Sequence, residues 1–536
     1  MKRVQLLDCT LRDGGYLVDA QFGNTVIKGM IKGLSESGID VVECGFLKDE
    51  PHQKGSTIFN NAAQLRPFLP EDRRQTSYVC LADYSRYTIS NLEPFDGTSI
   101  DGVRACFFKK ERYDVIDFCK SIVEKGYKLY VQPVDVLGYT DAELLELIEM
   151  INPLEPYAFS LVDTFGSMYK EDLRRVFYLV NQNLNAASRI GFHSHNNLQM
   201  SFSLSQEFID MTQGLRKIVI DGTMAGMGRG AGNTNTELIM QYMNRKYNSG
   251  YDIDTVLDLI DNYIDGIRNT CTWGYSIPYY LAGSYSAHVN NISYLTAKAG
   301  ISSRDINYIL NRIGGDARKR YDYDLLEKTY MEYVGITRDD EKEVTKLRES
   351  LQGKDILMLL PGHSIVTHKD EILKYCEEKH PIVISVNLLS HDYPINYAYF
   401  SNKKRYNYWK SSSRFSEYKK IVTSNVTNEE NKNQVILDFT RLVKCGWDQL
   451  DNSGILLLRL LDELDVASIA MAGFDGYSHD ASSTNYMQKE MEKTRNTLNA
   501  DEANRDVQSM LEDYLNTRKS DCPLSFITPS RFELNH

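Results

Sequence analysis

An α/β architecture is predicted: a closed (β/α)8 TIM barrel, a helical appendage, and a second, Rossmann-like α/β domain. Three observations predict it. Up to about residue 235, short apolar runs rich in β-branched or aromatic residues alternate with longer amphipathic stretches. There are eight such runs, the number that closes a barrel, and each is nearly continuously apolar, as a parallel strand covered on both faces must be. Polar residues gather at the C-terminal ends of these runs, where a barrel carries its chemistry. An open doubly wound sheet uses the same βα unit but seldom needs eight in such even spacing.

The predicted strands are 5–11, 41–47, 76–81, 102–108, 128–134, 158–164, 189–195 and 217–222. Amphipathic stretches at 24–37, 113–125, 141–151, 170–184, 198–213 and 236–247 predict the helices between them. These make a barrel domain over 1–250. Helical spacing of apolar residues then continues through 253–268, 284–299, 304–312 and 324–333, broken at Gly314-Gly315-Asp316, with 341–350 as a charged connector. Residues 251–350 are therefore expected to form an appendage packed on the barrel. The last domain, 351–536, is expected to hold strands at 355–360, 382–387, 398–401, 420–424 and 467–472. Its helices are expected at 369–378, 434–444, 454–464 and, in a charged run, 487–518.

A chain of 536 residues exceeds what one core serves, in keeping with more than one domain. Charged residues at 25% and a net charge of −12 without a long basic block argue against nucleic acid or an anionic membrane as the main partner. No segment approaches 18 uninterrupted apolar residues, so no membrane span is expected. Nine cysteines without CxxC pairs or framework spacing suit reduced thiols, and Met1-Lys2-Arg3-Val4-Gln5 leads straight into a strand; a cytoplasmic protein is expected.

The chain is organised around Leu7-Asp8-Cys9-Thr10-Leu11-Arg12-Asp13-Gly14-Gly15-Tyr16, where a buried strand ends in a cation, a carboxylate and a turn. At such an end Asp13 is placed to hold a metal and Arg12 an oxyanion. Glu43 lies late in strand two, Gln132 and Asp135 close strand five, Asp163 and Thr164 end strand six, and Asp221 ends strand eight. In His193-Ser194-His195, alternate side chains of a strand face the same way, so both imidazoles point together. Only strand eight separates them from strand one, and Asp13 can reach the same point. One carboxylate, two imidazoles and room for oxygen ligands suit a six-coordinate divalent ion, Mn²⁺ or Mg²⁺, while Zn²⁺ more often takes a tetrahedral set. Two histidines satisfying a polar rim without metal are the plainer alternative. The glycines of the run from Asp221 to Asn233 let backbone amides converge on an anion at the N-terminus of the next helix, with Asn233 capping that helix or approaching the metal.

Arg12-Asp13 after a strand, His193-x-His195 and Gly230-Ala231-Gly232-Asn233 together resemble the DRE-TIM metallolyase superfamily. Within it, Val162-Asp163-Thr164, Asp221-Gly222-Thr223-Met224-Ala225-Gly226-Met227-Gly228 and Gly283-Ser284-Tyr285-Ser286 are similar to the 4-hydroxy-2-oxovalerate aldolase pattern, over residues 4–310. The resemblance implies a divalent metal (Mn²⁺ first, Mg²⁺ or Co²⁺ as alternatives) held by Asp13, His193 and His195, which chelates a 2-oxo acid. It implies that Arg12 neutralises a pyruvate-type enolate, that Asp163, Thr164, Gly230 and Asn233 contact substrate, and that Tyr285 lines an aldehyde pocket. It also implies a homodimer. One departure stands out: where the aldolases carry a histidine base, this chain has Tyr16, and a phenol near its ordinary pKa of ~10 is a poor base. Glu43, His288 or a metal-bound water are the other acceptors.

The expected activity is a metal-dependent carbon–carbon lyase joining or splitting a 2-oxo acid and an aldehyde, with a sugar derivative as one such aldehyde. A Claisen-type acyl-CoA synthase and a silent barrel carrying a binding domain are the other readings. In the last domain, 356–360, Pro361-Gly362-His363-Ser364 and 469–476 weakly resemble sialyltransferase-like nucleotide-sugar-binding domains. His363, Ser364, Asn387, Asn402, Lys403, Arg405 and Asp475 are the candidate contacts to a nucleotide-sugar, although the full G-x-G-x-x-G fingerprint is absent.

Overall fold

Nine N-terminal strands make one parallel sheet, and eight of them close on themselves. In the computed structural model, residues 3–213, 215–298, 301–335, 337–413, 415–444, 446–447, 452–478, 485–488 and 500–534 are described. The closed set is β1 (Val4–Asp8), β2 (Val41–Leu47), β4 (Ser77–Asp83), β5 (Gly102–Phe107), β6 (Lys128–Pro133), β7 (Ala158–Asp163), β8 (Arg189–Ser194) and β9 (Ile218–Gly222). Each pairs in parallel with its neighbours, and β1 pairs with both β2 and β9, which seals the barrel. A two-residue strand, β3 (Ile58–Phe59), adds to β2 outside the ring.

Alternation along the strands sorts the side chains. Leu7, Val41, Val79, Tyr130, Ala158 and Val219 fill the barrel interior as a small apolar plug. The opposite faces meet the helices. Asn24–Glu36 turns Ile27, Met30, Ile31 and Leu34 inward at helical spacing, and Lys170–Asn183 does the same with Leu173, Val176, Phe177 and Val180. Each such buried side chain contributes about 2 kcal/mol. Two expected βα units are irregular: Ala62–Phe68 is a 3₁₀ turn, and only Ile89–Asn91 forms helix between β4 and β5.

Strand one ends earlier than expected, at Asp8, because Thr10–Asp13 coils into a helical turn with all four residues buried. Arg12 and Asp13 thus reach the rim from a turn rather than from a strand.

The chain divides into two compact units, one of Met1–Ile292 with Gly315–Tyr321, the other of Ser293–Gly314 with Asp322–His536. The helical stretch expected at 251–350 is shared between them. The charged connector expected at 341–350 is the helix Glu341–Leu351, which buries Val344, Leu347 and Leu351.

Among the described residues of the second unit, seven parallel strands lie in the order β14-β13-β12-β11-β10-β15-β16. They are β10 (Asp355–Leu359), β11 (Ile382–Val386), β12 (Tyr397–Phe400), β13 (Lys419–Thr423), β14 (Gln434–Leu437), β15 (Ser468–Ala472) and β16 (Leu524–Phe526). The helix expected at 434–444 begins instead as β14, and only Phe439–Leu442 is helical, after an Asp438 cap. The run expected over 487–518 is a helix at Ala500–Thr517; residues 489–499 lie outside those described. No helix among the described residues is long and apolar enough to cross a membrane.

Candidate metal centre

Four strand ends and one turn bring the rim residues together. His193 Nε2 lies 3.2 Å and His195 Nε2 3.4 Å from the same oxygen, Oδ2 of Asp13. The other Asp13 oxygen, Oδ1, faces Arg12 at 3.2 Å. Burial pushes the Asp13 carboxyl up, but the Arg12 guanidinium beside it works against this, and the carboxyl stays well below the usual carboxylate range.

The ring protons can be placed from the partners. His193 Nδ1 lies 3.0 Å from Asp221 Oδ2, and His195 Nδ1 lies 3.0 Å from the carbonyl oxygen of Asp163. A carboxylate and a carbonyl only accept, so Nδ1 carries the proton in each neutral ring and Nε2 keeps its lone pair. Both lone pairs therefore aim at a carboxylate oxygen that is buried and has no aligned hydrogen-bond donor. Three electron-rich atoms crowding one point is unfavourable unless a cation sits there. The residues fit a divalent metal on this ground, with each imidazole oriented from behind by a hydrogen bond. Burial pulls His193 down, yet the adjacent Asp13 and Asp221 raise it overall, so a proton on Nε2 is what a metal ion would displace.

Cys9 Sγ also lies within 4.8 Å of Asp13 and His193 ligand atoms. Burial holds its thiol well above the ordinary range, and Sγ–H donates to the Gly222 carbonyl at 3.3 Å. A protonated thiol is a poor ligand for a hard cation.

Beneath the rim runs an ion-pair chain. Glu43 Oε2 accepts from Arg12 Nε at 2.8 Å and lies 2.9 Å from Arg104, and Arg104 also pairs with Asp221. Arg104 and Glu43 are 1% and 0% exposed. Arg12 is thereby fixed and kept charged: burial disfavours its cation, but Asp13 and Glu43 raise its pKa well above the ordinary value. Sequence reading named neither Arg104 nor the role of Asp221 behind His193. The available signal was a lone arginine inside the apolar strand Gly-Val-Arg-Ala-Cys-Phe, which demands a buried partner.

The other expected residues are placed as follows. Tyr16 is 38% exposed as a residue, with the Arg229 guanidinium 3.8 Å over the centre of its ring; desolvation still raises its hydroxyl above the ordinary phenol value, against the pull of Arg229 and Arg12. The Asp163 carboxylate, pushed to about 6 by burial, accepts from Ser167 N at 2.9 Å and Ser194 Oγ at 3.3 Å, and its carbonyl orients His195. Thr164 Oγ1 accepts from Asp135 N at 2.8 Å. Both side chains are thus engaged by neighbouring strand ends and loops of the rim.

Gly230, at φ +68°, sits where a Cβ would press on Asn197 Oδ1 at 2.8 Å, an atom that also accepts from Ala231 N. Amides of Met224, Gly226, Met227, Gly232 and Asn233 bond within the barrel's own backbone and Thr10, so these five are not available to an anion. The following helix is capped at Asn235, not Asn233. Asn233 donates from Nδ2 to Met227 O at 3.2 Å, and its Oδ1 is buried without a partner beside the backbone bridge to His195. Tyr285 follows the helix Ile277–Ser284, its ring 5.0 Å from the Arg318 guanidinium. His288 is lowered to about 4, mainly by burial, then by Arg229 and His195, and its Nδ1 accepts from Asn290 N at 3.1 Å.

A family model described as HMGL-like matches residues 104–262. A 4-hydroxy-2-oxovalerate aldolase of Pseudoalteromonas translucida is 27% identical over 330 residues, covering 58% of this chain and 91% of that protein. An oxaloacetate decarboxylase of Mycobacterium tuberculosis is 28% identical over 311 residues, covering 55% and 88%. The HMG-CoA lyase of Bacillus subtilis aligns at 16% identity and a TM-score of 0.41 over 50% of this chain and 94% of its own. Residues 104–262 thus match an HMGL-like domain, and the barrel is similar to enzymes of the DRE-TIM metallolyase type.

Proposed function

We propose that the barrel is a metal-dependent lyase that breaks or makes a carbon–carbon bond next to the keto group of a 2-oxo acid. The observation that carries this is the aim of two imidazole lone pairs at one oxygen of Asp13, with Arg12 clamped alongside. A divalent metal held by Asp13, His193 and His195 would polarise the keto oxygen as a Lewis acid. Arg12 is held by Glu43 and Asp13 before substrate arrives, so it meets the charge that develops on that oxygen with little reorganisation. The names of the two relatives support the same chemistry: in each, the bonding pair of a cleaved C–C bond is left on a pyruvate-type fragment.

Aldol cleavage also needs an acceptor for the substrate hydroxyl proton. The Tyr16 phenol is raised, the Glu43 carboxylate is bound by two arginines, and the His288 Nδ1 lone pair is taken by Asn290 N–H. These observations favour a second reading, decarboxylation of a 2-oxo diacid, in which carbon dioxide leaves and no hydroxyl proton has to be removed.

The test uses the full chain with and without Mn²⁺. Methyl protons of pyruvate should exchange in D₂O only with metal, and Arg12→Ala should slow that exchange by ~10²–10³-fold. Pyruvate release from oxaloacetate, compared with release from a 4-hydroxy-2-oxo acid, separates the two readings. No metal-dependent exchange and no pyruvate from either substrate would overturn both.

A further inference from the structure

The second unit has a cleft of its own, and we infer that it is a second small-molecule site that takes a nucleoside phosphate. The strand order places it. From β10 the chain builds outward through β11, β12, β13 and β14, then returns to the far side of β10 as β15. The connections leaving β10 and β15 therefore diverge, and ligands of open parallel sheets bind in the crevice at the carboxyl ends of such strands. A cleft lies at that point, lined by Pro361 and Gly362 after β10, Asn387 after β11, Ser401 after β12, Asn425 after β13 and Phe474 after β15.

Its floor is held by packing and hydrogen bonds that leave little freedom. Asn387 adopts φ +53°, donates from Nδ2 to Ser453 Oγ at 2.8 Å, and accepts from the amides of Ser401 and Asn402 at 3.3 Å. Gly473 stands at φ +81°, where a Cβ would strike Leu360 O at 2.2 Å. Asp475 accepts from Ser364 N at 2.7 Å and from its hydroxyl, which ties the turn after β10 to the loop after β15. These carboxylate bonds belong to the fold. Asp305, also on the wall, accepts from Ser302 N at 2.8 Å and from the Tyr333 hydroxyl at 2.6 Å.

What faces the cleft suits an anion joined to an aromatic ring. Helices Lys403–Lys410 and Ser453–Glu463 both begin at its edge, so two positive dipole ends point there. Gly454 lets the second come close, since a Cβ would lie 2.7 Å from Leu360. Lys403 and Arg405 add cationic charge; Lys403 Nζ is 3.4 Å from the Tyr333 hydroxyl and 3.8 Å from Asp305, both long for a committed contact. Independently of the helix ends, the Ser401 hydroxyl is buried, at 7% residue exposure, and has no hydrogen-bond partner. A buried hydroxyl without a partner is destabilising, and a ligand oxygen would relieve that. Tyr333, Phe474 and Tyr486 supply ring faces for a base.

Calorimetry on the full chain tests this with CMP, UMP, AMP and GMP, and with ribose 5-phosphate and inorganic phosphate as probes of anion binding alone. At least one nucleotide should bind, at least ~10-fold more tightly than ribose 5-phosphate. Arg405→Gln and Lys403→Gln should each weaken it ~10-fold, and Ser401→Ala by a smaller factor, while Asp13→Asn, in the other unit, leaves it unchanged. Unaltered far-UV circular dichroism separates loss of binding from loss of fold, and Arg405→Lys should restore part of the affinity. Absence of heat with all four nucleotides to millimolar concentration, equal binding of ribose 5-phosphate, or full affinity in both charge variants would overturn the assignment. So would loss of nucleotide binding in Asp13→Asn, which would move the ligand to the barrel.

Discussion

Asp221 does not approach the candidate metal point itself, yet it decides what His193 can offer there. Its Oδ2 receives Nδ1–H of His193 at 3.0 Å and pairs with buried Arg104, so in the neutral imidazole Nε2 is the nitrogen left for a metal. Asp221→Asn keeps an oxygen for both donors but removes the charge that makes the ring a stronger base. Mn²⁺ affinity should fall ~10-fold, read as free Mn²⁺ by electron paramagnetic resonance; an unchanged affinity would mean that His193 is not a ligand. A second residue-scale consequence concerns Asp8. Its carboxylate accepts from Thr10 N at 3.0 Å and Thr236 Oγ1 at 2.6 Å, but burial outweighs both and carries it from 3.8 to about 6. A carboxyl raised on folding stabilises the fold below its unfolded value near 3.8, and that contribution is lost as pH rises through about 6. At pH 7 the buried charge then costs about 3 kcal/mol. Asp8→Asn should therefore be more stable than the parent at pH 7 and lose that advantage at pH 4, measured by urea denaturation at the two pH values. An advantage that is equal at both would show that burial of the charge is not the cause.

At the scale of elements, β2 shows how a local irregularity aims a functional side chain. Its register with β4 shifts between Glu43 and Phe46, and Gly45 lies in that bulge at φ +145°, where a Cβ would sit 2.0 Å from Thr57 O. Gly45→Ala must push β3 away or straighten β2, and either moves Glu43 from Arg12 and Arg104. A loss of more than ~2 kcal/mol and a drop in turnover are expected together, checked by thermal melting and the pyruvate assay. The eight barrel strands were legible because each is an apolar run of ordinary length, buried on both faces. Asp13, His193 and His195 were legible because period-two alternation and barrel closure are enough to bring them together. The bulge at Gly45 and the Arg104–Asp221 pair were not, since they depend on cross-strand distances that no local pattern encodes. In the second unit, Val435-Ile436-Leu437 is too short a run to separate strand from helix by period, and β16 has only three residues. The helix Glu341–Leu351 was hidden by its charge, although Val344, Leu347 and Leu351 carry the spacing of a narrow buried stripe.

At the scale of the whole molecule, one chain carries two units with separate apolar cores, and its three tryptophans divide between them. Trp273 belongs to the barrel unit and donates from Nε1 to Ala225 O at 2.9 Å, inside the loop that follows β9. Trp409 and Trp447 belong to the second unit. A Trp409→Phe/Trp447→Phe chain therefore reports the barrel alone by fluorescence, and Trp273→Phe reports only the second unit. A ligand that binds only the folded form stabilises it by about 2.7 kcal/mol at a concentration 100 times its Kd. If Asp13, His193 and His195 hold the metal, saturating Mn²⁺ should raise the barrel's melting temperature by several degrees and leave the Trp273→Phe signal where it was. Adding His193→Ala to the barrel reporter should abolish the shift, because a carboxylate and one imidazole remain. A shift of equal size in both reporters would place the metal elsewhere or couple the two units on melting, and a shift that survives His193→Ala would remove the rim of the barrel as its site.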